Sequence, residues 1–180
     1  VYLAPSHEFP LIDVTFQFKG GDYLELADKI GVGSMTGSMM REGGTVSMGP
    51  AEFDEELDFL ASNAGVFVGN TSAGASLNTL KGNFDESFAM FMEMVREPRF
   101  DAERLRLNKD ERLERMKQRN DRAPAIARRT WNQIMFRPDP FEPRQPTAAM
   151  VASITHSDRS RTHAPTTPLH SSEAPHVPTR

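Results

Sequence analysis

The sequence predicts an α+β domain: a mixed, mostly antiparallel sheet with helices packed on one face. Three observations carry that expectation. Ile12, Val14, Phe16 and Phe18 alternate with Asp13, Thr15 and Gln17, the two-residue period of a strand with one buried face. Phe53, Leu57, Leu60, Ala61 and Ala64, and again Phe84, Phe88, Phe91, Met92 and Val95, keep the spacing of an apolar helix stripe. Between those two runs, Val66 to Asn70 and Ala73 to Leu80 read as short antiparallel strands.

The elements follow in order. Val1 to Leu3 and Leu11 to Phe18 read as strands joined by a turn through Pro5 to Pro10, and Lys19-Gly20-Gly21 ends the second. Lys29 to Thr45, KIGVGSMTGSMMREGGT, reads as a helix with two unlike sides. Val32, Met35, Met39 and Met40 fall on one side, and Gly31, Gly33, Ser34, Gly37 and Ser38 on the other. Each interior glycine costs roughly 1 kcal/mol relative to alanine, so the glycine side requires close backbone approach or a cavity to line. Gly43-Gly44 breaks the chain, Pro50 opens the next helix, and acids crowd its first half, where they suit the helix dipole.

Gly65 is expected to close that helix. Asn83 is expected to cap the next one, with Glu86 in the capping-box position. Asp101 caps a long charged helix to about Asn120, whose interleaved acids fit a solvated or cavity-lining helix better than an RNA-binding one. Pro124 starts a helix to about Phe136, Pro138 to Pro146 is a proline-rich loop, and Ala148 to Ile154 is a short helical turn.

Composition narrows the function classes. The chain has 180 residues and a net charge of -4, and its pI is about 5.8, which argues against a nucleic-acid partner. Without cysteine, thiol catalysis and thiolate metal sites are excluded. That leaves the bacterial periplasm and the cytoplasm equally open. No apolar run has the length of a membrane helix. The chain begins at Val1, inside an expected strand, which predicts a fragment or processed product. Histidine stands only at positions 7, 156, 163, 170 and 176, so a His-based zinc site or imidazole base has no residues in the body between them. Residues 155–180 carry four of those histidines with Pro, Ser and Thr and almost no large apolar side chain. They are expected to form a disordered tail behind a domain spanning 1–154.

The order of elements resembles the pitrilysin/insulinase family of zinc peptidases, to which mitochondrial processing peptidase also belongs. The residues that carry the resemblance are Phe9-Pro10-Leu11, Gly20-Gly21, GVGSMTGSMM with Gly43 to Thr45, Phe53 to Leu60 with Asn63-Ala64-Gly65, Pro98 to Asp101, and Arg119-Asn120-Asp121 before Pro124. Ser153-Ile154-Thr155 resembles the phrase that leads into the family's next helix. The resemblance implies an insulinase-type metallohydrolase domain that is incomplete at its C-terminus. The tail is then expected to be a truncation or reading-frame product, removable at a cost of a few tenths of a kcal/mol at most.

In active relatives the first helix carries H-x-x-E-H, in which two histidines bind zinc and the glutamate activates water. Aligned here, those positions are Ser34, Gly37 and Ser38, and the third ligand, a glutamate on the charged helix, falls on Arg115. The resemblance therefore implies no catalytic residue and no zinc in this chain. It also implies that the Gly/Ser face lines a chamber, so that Gly37→Leu harms binding more than folding. The implied function is a non-catalytic peptidase-family domain that binds or encloses peptide beside a second, active insulinase-type domain or subunit. The alternative is a zinc-dependent metalloendopeptidase whose catalytic motif lies on another domain or chain.

Overall fold

The computed structural model describes residues 2, 4–5, 9–135 and 144–158. In chain order the elements are β1 (Leu11–Lys19), α1 (Val32–Glu42), α2 (Pro50–Phe59), β2 (Asn63–Val68), β3 (Ser72–Leu80), α3 (Phe84–Arg96), α4 (Ala102–Gln118), α5 (Ala123–Met135) and α6 (Ala148–Ser153). The architecture is α+β, and its three described strands form one sheet, antiparallel throughout, in the order β1-β3-β2.

Register explains why the helices share one face. Val14 and Ala64 both stand opposite Leu77, and Phe16 and Val66 both stand opposite Ala75. Side chains alternate along each strand, so these rungs point the same way. Onto them pack Phe53, Leu57 and Leu60 from α2 and its end, and Met90, Phe91 and Met94 from α3. The small Ala64 and Ala75 leave room for aromatic rings, and Phe16 and Phe91 meet at 5.4 Å between centroids. A second cluster joins Val32, Met35, Met39 and Met40 of α1 to Phe100, Val151 and Ile154. Val66 packs against both clusters, so β2 is the wall between them.

Some sequence expectations change. Tyr2 lies outside any strand and is fully exposed, while Val1 and Leu3 fall outside the described residues. The helix expected to reach Ala64 ends at Phe59, because Ala61 takes a left-handed φ of 48° and Ser62 N–H turns back to the Leu57 carbonyl. That turn sends Ala64 into β2, where it is a core residue. Asn83 precedes α3 without capping it; its Nδ2 donates to the Leu60 carbonyl at 2.8 Å and ties the two helix ends together.

The described residues continue past the expected boundary at 154. Residues 156–158 form a helical turn, and Asp158, 8% exposed, accepts from Lys29 Nζ (3.0 Å), Thr155 N–H (2.9 Å) and Thr155 Oγ1 (2.7 Å). The remainder of the expected tail lies outside the described residues. A buried carboxylate with three donors stabilises its surroundings through charge-assisted hydrogen bonds. Asp158→Ala is therefore expected to cost about 2 kcal/mol, through the lost bonds and an ammonium left without its partner. Urea unfolding checks it; a loss below about 0.5 kcal/mol would mean that this turn is not part of the cooperative unit.

Candidate functional site

The site is built on α1, and α1 is held from outside its own sequence. No Ser, Thr, Asp or Asn stands at its N-cap, which is Gly31 at φ 95°. The Glu25 carboxylate does that work from a distance, accepting Gly31 N–H at 2.8 Å and Gly33 N–H at 2.6 Å. A negative charge at a helix N-terminus stabilises it. Arg144 holds the segment before the helix by donating to the backbone carbonyls of Asp22 and Glu25. Gly21, at φ 149°, lets that segment lie against the β2–β3 turn, where any Cβ would stand 2.3 Å from the Gly69 carbonyl oxygen.

The two sides of α1 are both buried, for different reasons. The Met side enters the second cluster. The glycine side meets β2: a Cβ on Gly37 would stand 3.2 Å from Val68 Cγ2 and 3.5 Å from Val66 Cγ1, and one on Gly33 3.2 Å from Val68 Cγ1. Close approach, one of the two explanations open at the sequence level, is the one the fold uses. The expectation that Gly37 lines a chamber is corrected: it packs on the sheet. Ser34 and Ser38, half-buried beside it, are the members of that face left accessible.

Both serines turn toward α4. Arg112 donates through Nη1 to Ser34 Oγ at 3.0 Å and through Nη2 to Ser38 Oγ at 3.3 Å, while its Nε donates to Asn108 Oδ1 at 2.9 Å. Asn108 Nδ2 in turn donates to Glu42 Oε2 at 3.2 Å. The hydroxyl protons are used within α1, Ser34 Oγ donating to the Gly31 carbonyl and Ser38 Oγ to the Ser34 carbonyl. Arg115, the residue reached by counting, is not part of this arrangement; it is exposed and pairs with Glu111 at 3.3 Å. The arginine that faces both serines is Arg112, one helical turn before Arg115. Arg112, Asn108, Glu25 and Arg144 were not singled out from sequence. The signal available for the first two was that Asn108, Arg112 and Arg115 share a face of α4 at i, i+4 and i+7.

These residues do not fit zinc. A guanidinium donor stands across two hydroxyls that themselves serve as acceptors, with no imidazole and no carboxylate among the three. Among the described residues no group of three or more His, Cys, Asp or Glu side chains is placed to hold a metal ion.

One carboxyl at the site is electrostatically costly. Asp22 Oδ1 is buried without a hydrogen-bond partner. Burial first, then the Glu25 charge, pushes the Asp22 pKa up to about 6, against the lowering effect of Arg144 and Arg112. A folded-state pKa above the unfolded one means that this contribution is fully present below the ordinary value of 3.8 and is lost as pH rises through about 6. Solvent screening of this partly exposed group holds the effect to about 1 kcal/mol. Asp22→Asn is expected to be more stable than the parent at neutral pH by that amount and equal to it near pH ~4. Denaturant titrations across that range check the sign; a parent that gains stability over the variant as pH rises would reverse the assignment.

Comparison with solved structures places the fold in a known class. It is the fold of peptidase M16 domains, the insulinase type. At 20% identity and a TM-score of 0.80 the chain is similar to a peptidase M16 inactive domain from Pseudomonas fluorescens, over 88% of this chain and 39% of that one. It is similar to a protease from Helicobacter pylori at 16% identity and a TM-score of 0.73, over 86% and 38%. It is similar also to the first half of the periplasmic protease PqqL from Escherichia coli, at 14% identity and a TM-score of 0.74, over 87% and 35%. The chain thus spans less than two fifths of the length of each. No protein-family model matches the sequence, and no curated protein matches it. No helix among the described residues is long and apolar enough to cross a membrane.

Proposed function

We propose that this chain is a non-catalytic insulinase-type peptidase domain that binds or encloses peptide as the partner of an active zinc peptidase domain. The observation that carries the reading is Arg112 reaching both Ser34 and Ser38 across the helix that bears zinc in active relatives. A cation there repels a metal ion, and Gly37 offers no base to activate water. What the surface does offer is a strand edge: β2 pairs with β3 on one side only among the described residues. An extended peptide adds to such an edge through backbone hydrogen bonds. The similarity to one half of a longer protease supports a second domain as partner.

Zinc analysis and peptide binding on the purified full chain test the reading. Peptide bound without cleavage, and no stoichiometric zinc, is the expected result. Zinc in the body, or hydrolysis by this chain alone, would overturn it. Cleavage that begins only when a second chain bearing an intact H-x-x-E-H motif is added, with no peptide affinity here, would favour the alternative of catalysis located elsewhere.

A further inference from the structure

We propose that Arg112 is the anchor of a carboxylate-binding subsite, which selects peptides presenting an acidic side chain or a free C-terminal carboxylate. The proposal rests on the peptide-binding reading above and adds a chemical preference to it.

A guanidinium carries five N–H donors and no acceptor. Three of those on Arg112 go to neutral oxygens, those of Asn108, Ser34 and Ser38. Two N–H groups are left over. The other arginines of α1 and α4 that form ion pairs show what is missing: Arg41 reaches Asp54, Arg106 reaches Glu103 and Asp110, and Arg115 reaches Glu111. Arg112 is more buried than Arg106 or Arg115, yet no carboxylate among the described residues forms an ion pair with it. Glu42, the acid nearest in the hydrogen-bonded chain, is engaged through Asn108 instead.

Partial burial of a cation with no carboxylate in contact is costly, and a carboxylate ligand offsets that cost. The geometry is suited to one. Three neutral acceptors fix the plane of the fork, and a planar, oriented guanidinium binds carboxylate with little further ordering. The serine protons are committed to α1 carbonyls, so the hydroxyl oxygens face Arg112 and do not compete for the incoming anion. Glu42, Asp22 and Glu111 lie near enough to act on Arg112 electrostatically, but none of them forms an ion pair with it.

The competing role for Arg112 is a purely structural clasp between α1 and α4, and the test separates the two. The probe is a short acetylated and amidated peptide of Ala, Val and Thr with one Gln. It is compared with versions bearing Glu at each position in turn and with one ending in a free carboxylate. Binding to the full chain is measured by fluorescence anisotropy at physiological salt. We expect a Glu peptide, if the source is a side chain, or the free-acid peptide, if it is the terminus, to bind at least about tenfold tighter than the neutral parent. That preference should disappear in Arg112→Gln. Arg112→Lys keeps the charge without the fork, and serves if the Gln variant does not fold; it should lose most of the preference. Equal affinity of all peptides for the unmodified chain, within about twofold, would overturn the carboxylate subsite while leaving peptide binding intact. No binding of any peptide would overturn both.

Discussion

Replacing Ser34 and Ser38 by His and Arg112 by Glu is expected to give a chain that holds about one zinc ion, at micromolar affinity or better, about 8 kcal/mol. The guanidinium of Arg112 already reaches both serine oxygens, so the three positions converge on one point. Histidine extends farther from α1 than serine by roughly what glutamate gives up relative to arginine on α4. The exchange also replaces a positive charge by a negative one where the metal would sit. Gly37 is left alone, because the glutamate that the family resemblance puts at its position in active relatives is not a ligand. The companion variant, with the same two histidines and Arg115→Glu, is expected to bind at least tenfold more weakly, about 1.4 kcal/mol or more. Isothermal titration and metal analysis compare them. Equal affinities would mean that α4 is rotated relative to the arrangement described.

The second large effect is on folding. Gly37→Leu is expected to cost about 3 kcal/mol, the upper range for overpacking a site with no room. A Cβ at this position already stands 3.2 Å from Val68 Cγ2, and the remaining side chain has to displace Val66 or Val68, which carry α1 on the sheet. Gly37→Ala is the graded control. Its helix-propensity gain of about 1 kcal/mol roughly offsets the tight contact. Urea midpoints with unchanged slope report both changes. A leucine variant of parental stability that has lost peptide binding would restore the chamber-lining role.

Much of this fold was legible because its signals are local. The alternation in β1 survives as one half-buried row, Ile12, Val14 and Phe16, while Phe18 is exposed. The Asp101 cap is present, its carboxylate accepting Arg104 N–H at 3.0 Å. What failed depended on partners distant in sequence. Ala61 and Ala64 fit a helical stripe, yet the pairing of Ala64 with Leu77 draws the chain into a strand. Helical spacing separates glycines from methionines on α1, but only β2 and the segment around Val151 and Ile154 reveal that both sides are covered. The choice between Arg112 and Arg115 depends on the rotation of α4 against α1, a packing angle that spacing does not encode. The clamp from Arg144 is likewise tertiary, more than a hundred residues from the backbone it holds, whereas the capping acid Glu25 is local but stands six residues before Gly31, outside any N-cap signature.

The wall formed by β2 also orders events in time. Among the described residues, the cluster that joins α2, α3 and the sheet draws on nothing beyond Val95. The one on the other side of Val66 waits for Val151 and Ile154. A chain emerging from a ribosome at roughly 5–20 residues per second has the first cluster available several seconds before the second can close. During that interval Met35, Met39 and Phe100 have no cover from the α6 segment. The vulnerable period in the biogenesis of this domain is therefore late, and the methionine side of α1 is the surface a chaperone would meet.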